Sequence, residues 1–142
     1  QRSGTEAVMM AVALGAASQL ASKRLTLAKI SETRDYFWSA LKEVFGDAVI
    51  QNGDLERRLP NTLNVSFIGR DGSKILEQLD GFAASTGSAC HEDSVTMSPV
   101  LAAMGLSDNV AMGAIRFSVG DATTPDEIDL TVKSLAAVVP TV

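Results

Sequence analysis

Thr62-Leu63-Asn64-Val65-Ser66-Phe67-Ile68 alternates polar and apolar side chains. Leu63, Val65 and Phe67 share one face, and Thr62, Asn64 and Ser66 share the other, which is the pattern of a half-buried strand. Pro60 precedes it, as strand flanks tolerate. Residues 114–119 repeat the pattern, with Ile115, Phe117 and Val119 against Ala114, Arg116 and Ser118. A shorter strand is expected from Asp47 to Asn52, ending at Asn52-Gly53-Asp54, and Phe82 to Thr86 reads as another.

Helical patterns lie between and around these strands. Ser3-Gly4-Thr5-Glu6 reads as a capping box. The helix it opens would bury Met9, Val12, Ala13, Ala16 and Leu20 on one face. Leu27, Ile30, Phe37, Leu41 and Val44 mark a second stretch, continuous with the first as one bent helix or separate from it, with Gly46 as its stop. Asp71 is placed to cap a short helix bearing Ile75, Leu76 and Leu79, stopped by Gly81. Ser98-Pro99 starts another that ends near Gly105. Thr124-Pro125-Asp126-Glu127 is a second capping box, followed by Ile128, Val132, Leu135 and Val139 in line. The expected class is α+β: a two-layer sandwich with a small, mostly antiparallel sheet covered by helices. Residues 1–142 read as a single domain, with 1–45 as a long N-terminal helical segment and 46–142 as a small α/β sandwich.

Composition narrows the functional classes. The chain has 142 residues, 46% of them hydrophobic, enough for one core. No apolar run approaches the ~20 residues that span a bilayer, so no membrane partner is expected. The opening residues do not read as a secretory signal, and a single cysteine cannot form an internal disulfide, so a cytoplasmic setting is expected. The net charge is -5. Residues 72–142 hold only Lys74, Arg116 and Lys133 against nine Asp and Glu, which argues against a nucleic-acid surface.

Four positions carry candidate chemistry. Cys90 is the only thiol. A lone cysteine by itself reads as a small buried hydrophobe. Its neighbours, Gly87-Ser88-Ala89 and His91-Glu92-Asp93, are not core composition, and a mobile tether suits a sulfur that moves between sites. His91, the only histidine, reads either as a proton exchanger or as an exposed loop residue. Arg116 is a planar cation on the polar side of a strand, suited to a carboxylate, though the pattern alone reads as a solvated edge arginine. Thr5 falls in the first turn of the first expected helix, where unpaired N–H groups favour phosphate, though an ordinary helix start is commoner. No metal site is expected, because Cys90 and His91 have no second ligand cluster to join them.

Five blocks, in order, resemble the C-terminal (small-domain) portion of class V aminotransferase-like cysteine desulfurases. They are Arg2-Ser3-Gly4-Thr5-Glu6, residues 59–67, Gly87-Ser88-Ala89-Cys90, residues 115–120 and residues 123–129. The Cys90-His91 pair also resembles the selenocysteine lyase branch. The resemblance implies the C-terminal domain of a fold-type I enzyme that depends on pyridoxal phosphate. It makes Cys90 the persulfide-forming nucleophile, Arg116 the group that binds the substrate carboxylate, and Thr5 a contact to the cofactor phosphate across a dimer. It further implies a homo-oligomer, a sulfur-acceptor protein and service in iron–sulfur cluster assembly.

The sequence departs from that pattern in one respect. The family's Schiff-base lysine follows a histidine in an upstream large domain. Here the residue after His91 is Glu92, and Lys23, Lys29, Lys42, Lys74 and Lys133 match no such motif. The expected partner is therefore a missing large domain or a separate large-domain subunit, and no cofactor is expected on this chain alone, which would be inactive by itself. A different reading is a free-standing, non-catalytic domain used for interaction, self-association or sulfur carriage on Cys90.

Overall fold

The computed structural model describes residues 4–24, 27–86 and 97–140. Its helices are α1 (Val8–Arg24), α2 (Leu27–Phe45), α3 (Gly72–Glu77), α4 (Pro99–Ala103), α5 (Asp108–Ala111) and α6 (Pro125–Val138). Its strands are β1 (Val49–Gln51), β2 (Thr62–Phe67) and β3 (Ala114–Ser118). The sheet order is β1-β2-β3, antiparallel throughout. Leu63 pairs with Phe117, Asn64 with Arg116 and Val65 with Ile115. The expected α+β sandwich is what forms.

The alternation in β2 and β3 explains the sheet. Leu63, Val65, Phe67, Ile115 and Phe117 are buried on one face. Onto them α2 lays Ile30, Phe37, Leu41 and Phe45, and α6 lays Ile128, Val132 and Leu135. Edge-to-face ring pairs join helix to sheet: Phe37 with Phe117 at 4.9 Å and Phe45 with Phe67 at 5.1 Å. Tyr36 of α2 donates to Asp129 of α6 at 2.7 Å, tying the two covering helices together. That bond, followed by burial, raises the Tyr36 pKa.

The short connections follow sequence rules. Asp71 caps α3, its carboxylate accepting from the Ser73 and Lys74 N–H groups at 3.0 and 3.4 Å. Thr124 and Glu127 form the expected reciprocal capping box at the start of α6. Asp54 closes the turn after β1 by accepting from the Glu56 and Arg57 N–H groups at 2.7 and 2.8 Å. Gly113 cannot carry a side chain, because a Cβ there would run into the Phe67 carbonyl.

Several elements differ from expectation. The helix opened by residues 3–6 begins only at Val8, and the Glu6 carbonyl accepts from the Val8 N–H at 2.9 Å. Ser3 lies outside the described residues. The stripe of Met9, Val12, Ala13, Ala16 and Leu20 is exposed rather than buried, with Met9 86% accessible. The reason is competition, since α2 and α6 already cover the apolar face of the sheet. The strand expected at 47–52 is trimmed, because residues 46–48 form a 3-10 turn. Phe82 to Thr86 contributes one bridge, Ser85 with Arg116, and no full strand. A small second cluster of Leu101, Ala111 and Ala114, with Met97 and Leu106, adds α4 and α5 at one end of the polar face. No described helix is long and apolar enough to cross a membrane.

Candidate functional site

The polar face of the sheet brings together groups that are far apart in the chain. Arg116 lies on this face, exposed at the middle of the edge strand β3 and directly opposite Asn64. Its backbone is held on the outer side by Ser85, whose N–H donates to the Arg116 carbonyl at 3.1 Å and whose carbonyl accepts from the Arg116 N–H at 2.7 Å. The Arg116 Nη2 reaches the Ser85 Oγ at 3.4 Å, a long and weak contact. Among the described residues its guanidinium has no other hydrogen-bond partner, an arrangement that suits a planar two-oxygen acceptor.

Behind it the strand positions are locked. Asn52 Nδ2 donates to Asn64 Oδ1 and to Ser66 Oγ, both at 2.7 Å. Ser66 is fully buried. A part-buried network of this kind, anchored on a buried hydroxyl, restricts the rotamers of its members. Asn52, Asn64, Ser66 and Ser85 had not been singled out from the sequence. For Asn64 and Ser66 the signal was present, because both fall on the polar face of the β2 alternation, where Asn64 is the cross-strand partner of Arg116. For Asn52 and Ser85, which lie outside the strands proper, only the fold reveals it.

The other candidates are placed less centrally. Thr5 sits ahead of α1 in an exposed, non-helical segment, not in its first turn as expected. The helix-dipole argument for phosphate at Thr5 therefore does not hold within this chain, because the first helical residue is three positions further on. Cys90 and His91 lie outside the described residues. Ser85, on the Arg116 bridge, is five residues before Cys90 in sequence.

A second cationic group lies away from this face. Arg34, buried on α2, donates to Asp35 at 2.9 Å through Nε and to the Leu59 carbonyl at 3.2 Å through Nη1. Arg58 shares the same carboxylate at 3.4 Å. Burial, then repulsion from Arg34, lowers the Arg58 pKa. The group pins residues 58–59 to α2 and serves the fold.

Among the described residues, no site for pyridoxal phosphate is assembled beside Arg116. That cofactor needs an amine to bind its aldehyde. Lys29 donates to the Asp121 carbonyl at 3.1 Å, Lys42 pairs with Asp47 at 2.9 Å, and Lys74 lies 4.0 Å from Asp71. Lys23 belongs to α1 and Lys133 to α6. None of the five belongs to the row of groups around Arg116. Among the described residues, no cluster of three or more His, Cys, Asp or Glu side chains could hold a metal ion.

The sequence model of the Aminotransferase class-V family matches residues 1–131. The chain belongs to that family. It is similar to cysteine desulfurase IscS of Pectobacterium atrosepticum, 40% identical over 134 residues, covering 93% of this chain and 33% of that protein. Cysteine desulfurase IscS of Klebsiella pneumoniae is 41% identical over 133 residues, with 92% and 32% covered. A solved NifS-like protein superposes with TM-score 0.80 at 32% identity, covering 96% of this chain and 34% of that one. A NifS-like protein from Rickettsia africae gives TM-score 0.80 at 26% identity, with 96% and 36% covered. The chain thus spans about a third of the length of the relatives it matches.

Proposed function

We propose that this chain is the sulfur-accepting, carboxylate-binding part of a cysteine desulfurase that works with a pyridoxal-phosphate-binding large domain. One observation carries the reading. Arg116 stands exposed on the polar side of the edge strand β3, bridged to the segment that leads in sequence to Cys90. Arg116 holds the α-carboxylate of a cysteine or selenocysteine substrate as a planar two-point donor. The Cys90 thiolate attacks the substrate sulfur, the substrate Cβ–Sγ bond breaks with its electron pair passing to the carbon fragment, which takes up a proton and leaves as alanine, and the resulting Cys90 persulfide passes its outer sulfur to an acceptor protein, with iron–sulfur cluster assembly as one destination. His91 exchanges the proton that Cys90 or the leaving group requires. Thr5, in its exposed segment, reaches a cofactor phosphate held by another subunit of a dimer. The setting is the cytoplasm, and neither nucleic acid nor membrane is a partner.

The large domain supplies the lysine that this chain lacks. Added pyridoxal phosphate is therefore expected to leave no borohydride-trapped adduct on the chain alone, and cysteine to release no sulfide. A trapped lysine adduct with sulfide release would overturn the division of labour. Co-expressed with a lysine-bearing class V large domain and assayed with a thiol reductant, which reduces the persulfide, the chain should support sulfide release from cysteine. Cys90→Ser should abolish it. Arg116→Ala should raise KM by at least tenfold, with Arg116→Lys recovering only part of the loss. Unchanged KM in Arg116→Ala would remove the carboxylate assignment.

Sulfur carriage or protein interaction by a free-standing domain is the second reading, favoured by the exposed apolar helix α1. A persulfide donor followed by intact-mass measurement separates it from the first. A mass gain that needs Cys90, with no rescue by any large domain, would support the second reading.

A further inference from the structure

We infer that the Ser85 hydroxyl is a second donor to the carboxylate that Arg116 binds, with one carboxylate oxygen seated between Ser85 Oγ and Arg116 Nη2. The ligand's identity rests on the proposed function, and the site on contacts inside the chain.

The backbone decides where the hydroxyl stands. Ser85 and Arg116 exchange both of their N–H···O bonds, at 3.1 and 2.7 Å, which makes them a directly opposed antiparallel pair. The side chains of such a pair stand on the same face, with Cβ atoms about 5 Å apart. The residues on either side of Ser85 turn to the other face. Ala84 packs against the apolar core. The Thr86 methyl lies beside Gly72, where the core-face residue Ile115 also reaches. Alternation along the bridged stretch then leaves Ser85 on the polar side with Arg116.

The two side chains are arranged to share an oxygen. Arg116 Nη2 lies 3.4 Å from Ser85 Oγ, too long to compete with a better acceptor. An oxygen at hydrogen-bond distance from both atoms closes a triangle on that base. Among the described residues, the Ser85 hydroxyl donates to no other group, so its proton is unspent. A carboxylate oxygen between the two replaces one long contact with two short, charge-assisted ones.

The other flank of Arg116 is used differently. Asn64, opposite Arg116 on β2, accepts from Asn52 at 2.7 Å, which turns its carbonyl toward β1. Arg116 also carries its guanidinium on a long side chain that can pivot. Ser85 is short and its backbone is tied at both ends of the residue. It therefore sets where along β3 the carboxylate sits, while Arg116 supplies the charge.

The bridge is made of backbone groups, so Ser85→Ala removes the hydroxyl and keeps the bridge. In the co-expressed, reductant-supplied assay, Ser85→Ala should raise KM for cysteine about tenfold with kcat within about twofold, as expected for one hydrogen bond lost from a charged ligand. Ser85→Thr keeps the hydroxyl and should stay within about twofold of the native KM. Unchanged KM in Ser85→Ala, beside a raised KM in Arg116→Ala, overturns this inference and leaves the proposed function standing. Unchanged KM in both overturns both. An equal loss in Ser85→Thr marks a structural role and overturns the inference. In an Arg116→Ala background, Ser85→Ala should add less than about twofold, because groups that share one ligand oxygen are coupled. A full tenfold there puts the hydroxyl outside the carboxylate seat. A cofactor-loaded pair that releases no sulfide overturns the proposed function, and this inference with it. Should the large domain bind no cofactor, the chain alone is titrated with sodium propionate against sodium chloride, following the Arg116 Nε–Hε signal by NMR. The propionate midpoint should rise several-fold in Ser85→Ala and be restored in Ser85→Thr. Equal midpoints, or no response in the native chain, overturn the inference.

Discussion

Helices α1 and α6 are of similar length, 17 and 14 residues, and nothing else about them agrees. Helix α6 begins at a reciprocal capping box and buries Ile128, Val132 and Leu135 in a stripe spaced four and three. Helix α1 has no acidic residue in its first turn and spreads its large side chains around its circumference. One pattern belongs to a helix whose partner is in the same chain. The other belongs to a helix that no described element of the chain covers. Most helical stability comes from packing an apolar face, not from propensity. The contrast therefore predicts where this chain's own stability resides.

The largest expected effect separates two leucines. Leu135→Ala empties a fully buried position and should cost about 2–5 kcal/mol in denaturant unfolding. Leu14→Ala, at a position 69% accessible, should stay within about 0.5 kcal/mol. Equal costs would break the comparison. The caps come next. Thr124→Ala removes a side-chain acceptor from the Glu127 N–H and should cost about 1 kcal/mol. Thr5→Ala, ahead of a helix it does not cap, should leave the unfolding midpoint unchanged. Exposed alanines sharpen the contrast further. Ala137→Gly in α6 should cost about 0.5–1 kcal/mol. Ala17→Gly in α1 should leave global unfolding of the isolated chain untouched.

The smallest effect is electrostatic. The Thr124 N–H, then the Thr124 hydroxyl, lower the Glu127 pKa. A carboxyl lowered in the folded state stabilises above its unfolded pKa of about 4.3, and that contribution is lost as pH falls through the folded value. The thermal midpoint of the native chain should therefore exceed that of Glu127→Gln at neutral pH, and the gap should narrow below the unfolded pKa. A gap that widened on acidification would show that the carboxylate is not the stabilising form.

The sandwich was legible where local pattern and tertiary need agreed. Leu63, Val65 and Phe67 announced a buried strand face, and it is buried. Thr124 and Glu127 announced a helix start, and the box forms. Pattern failed where an element has no partner in the chain. Met9, Val12 and Leu20 do fall within one arc of a helix, but periodicity cannot say that the only apolar sheet face is already taken. Very short elements left little trace too: α5 has four residues, less than two turns. For the candidate site, Arg116 was legible as a cation on a polar face. Its support by Ser85 was not, because a single bridge between residues 31 apart has no periodic signature.

That bridge also sets a length. Ser85 is tied at both its N–H and its carbonyl to Arg116, so the chain beyond it departs from a fixed point. Cys90 is five residues further along, and five residues of fully extended chain cover at most about 18 Å. The covalent chain is thus a leash with its stake beside Arg116. However the sulfur travels, its outer radius is counted in residues, and deleting one from 86–89 would draw that radius in by about 3.5 Å.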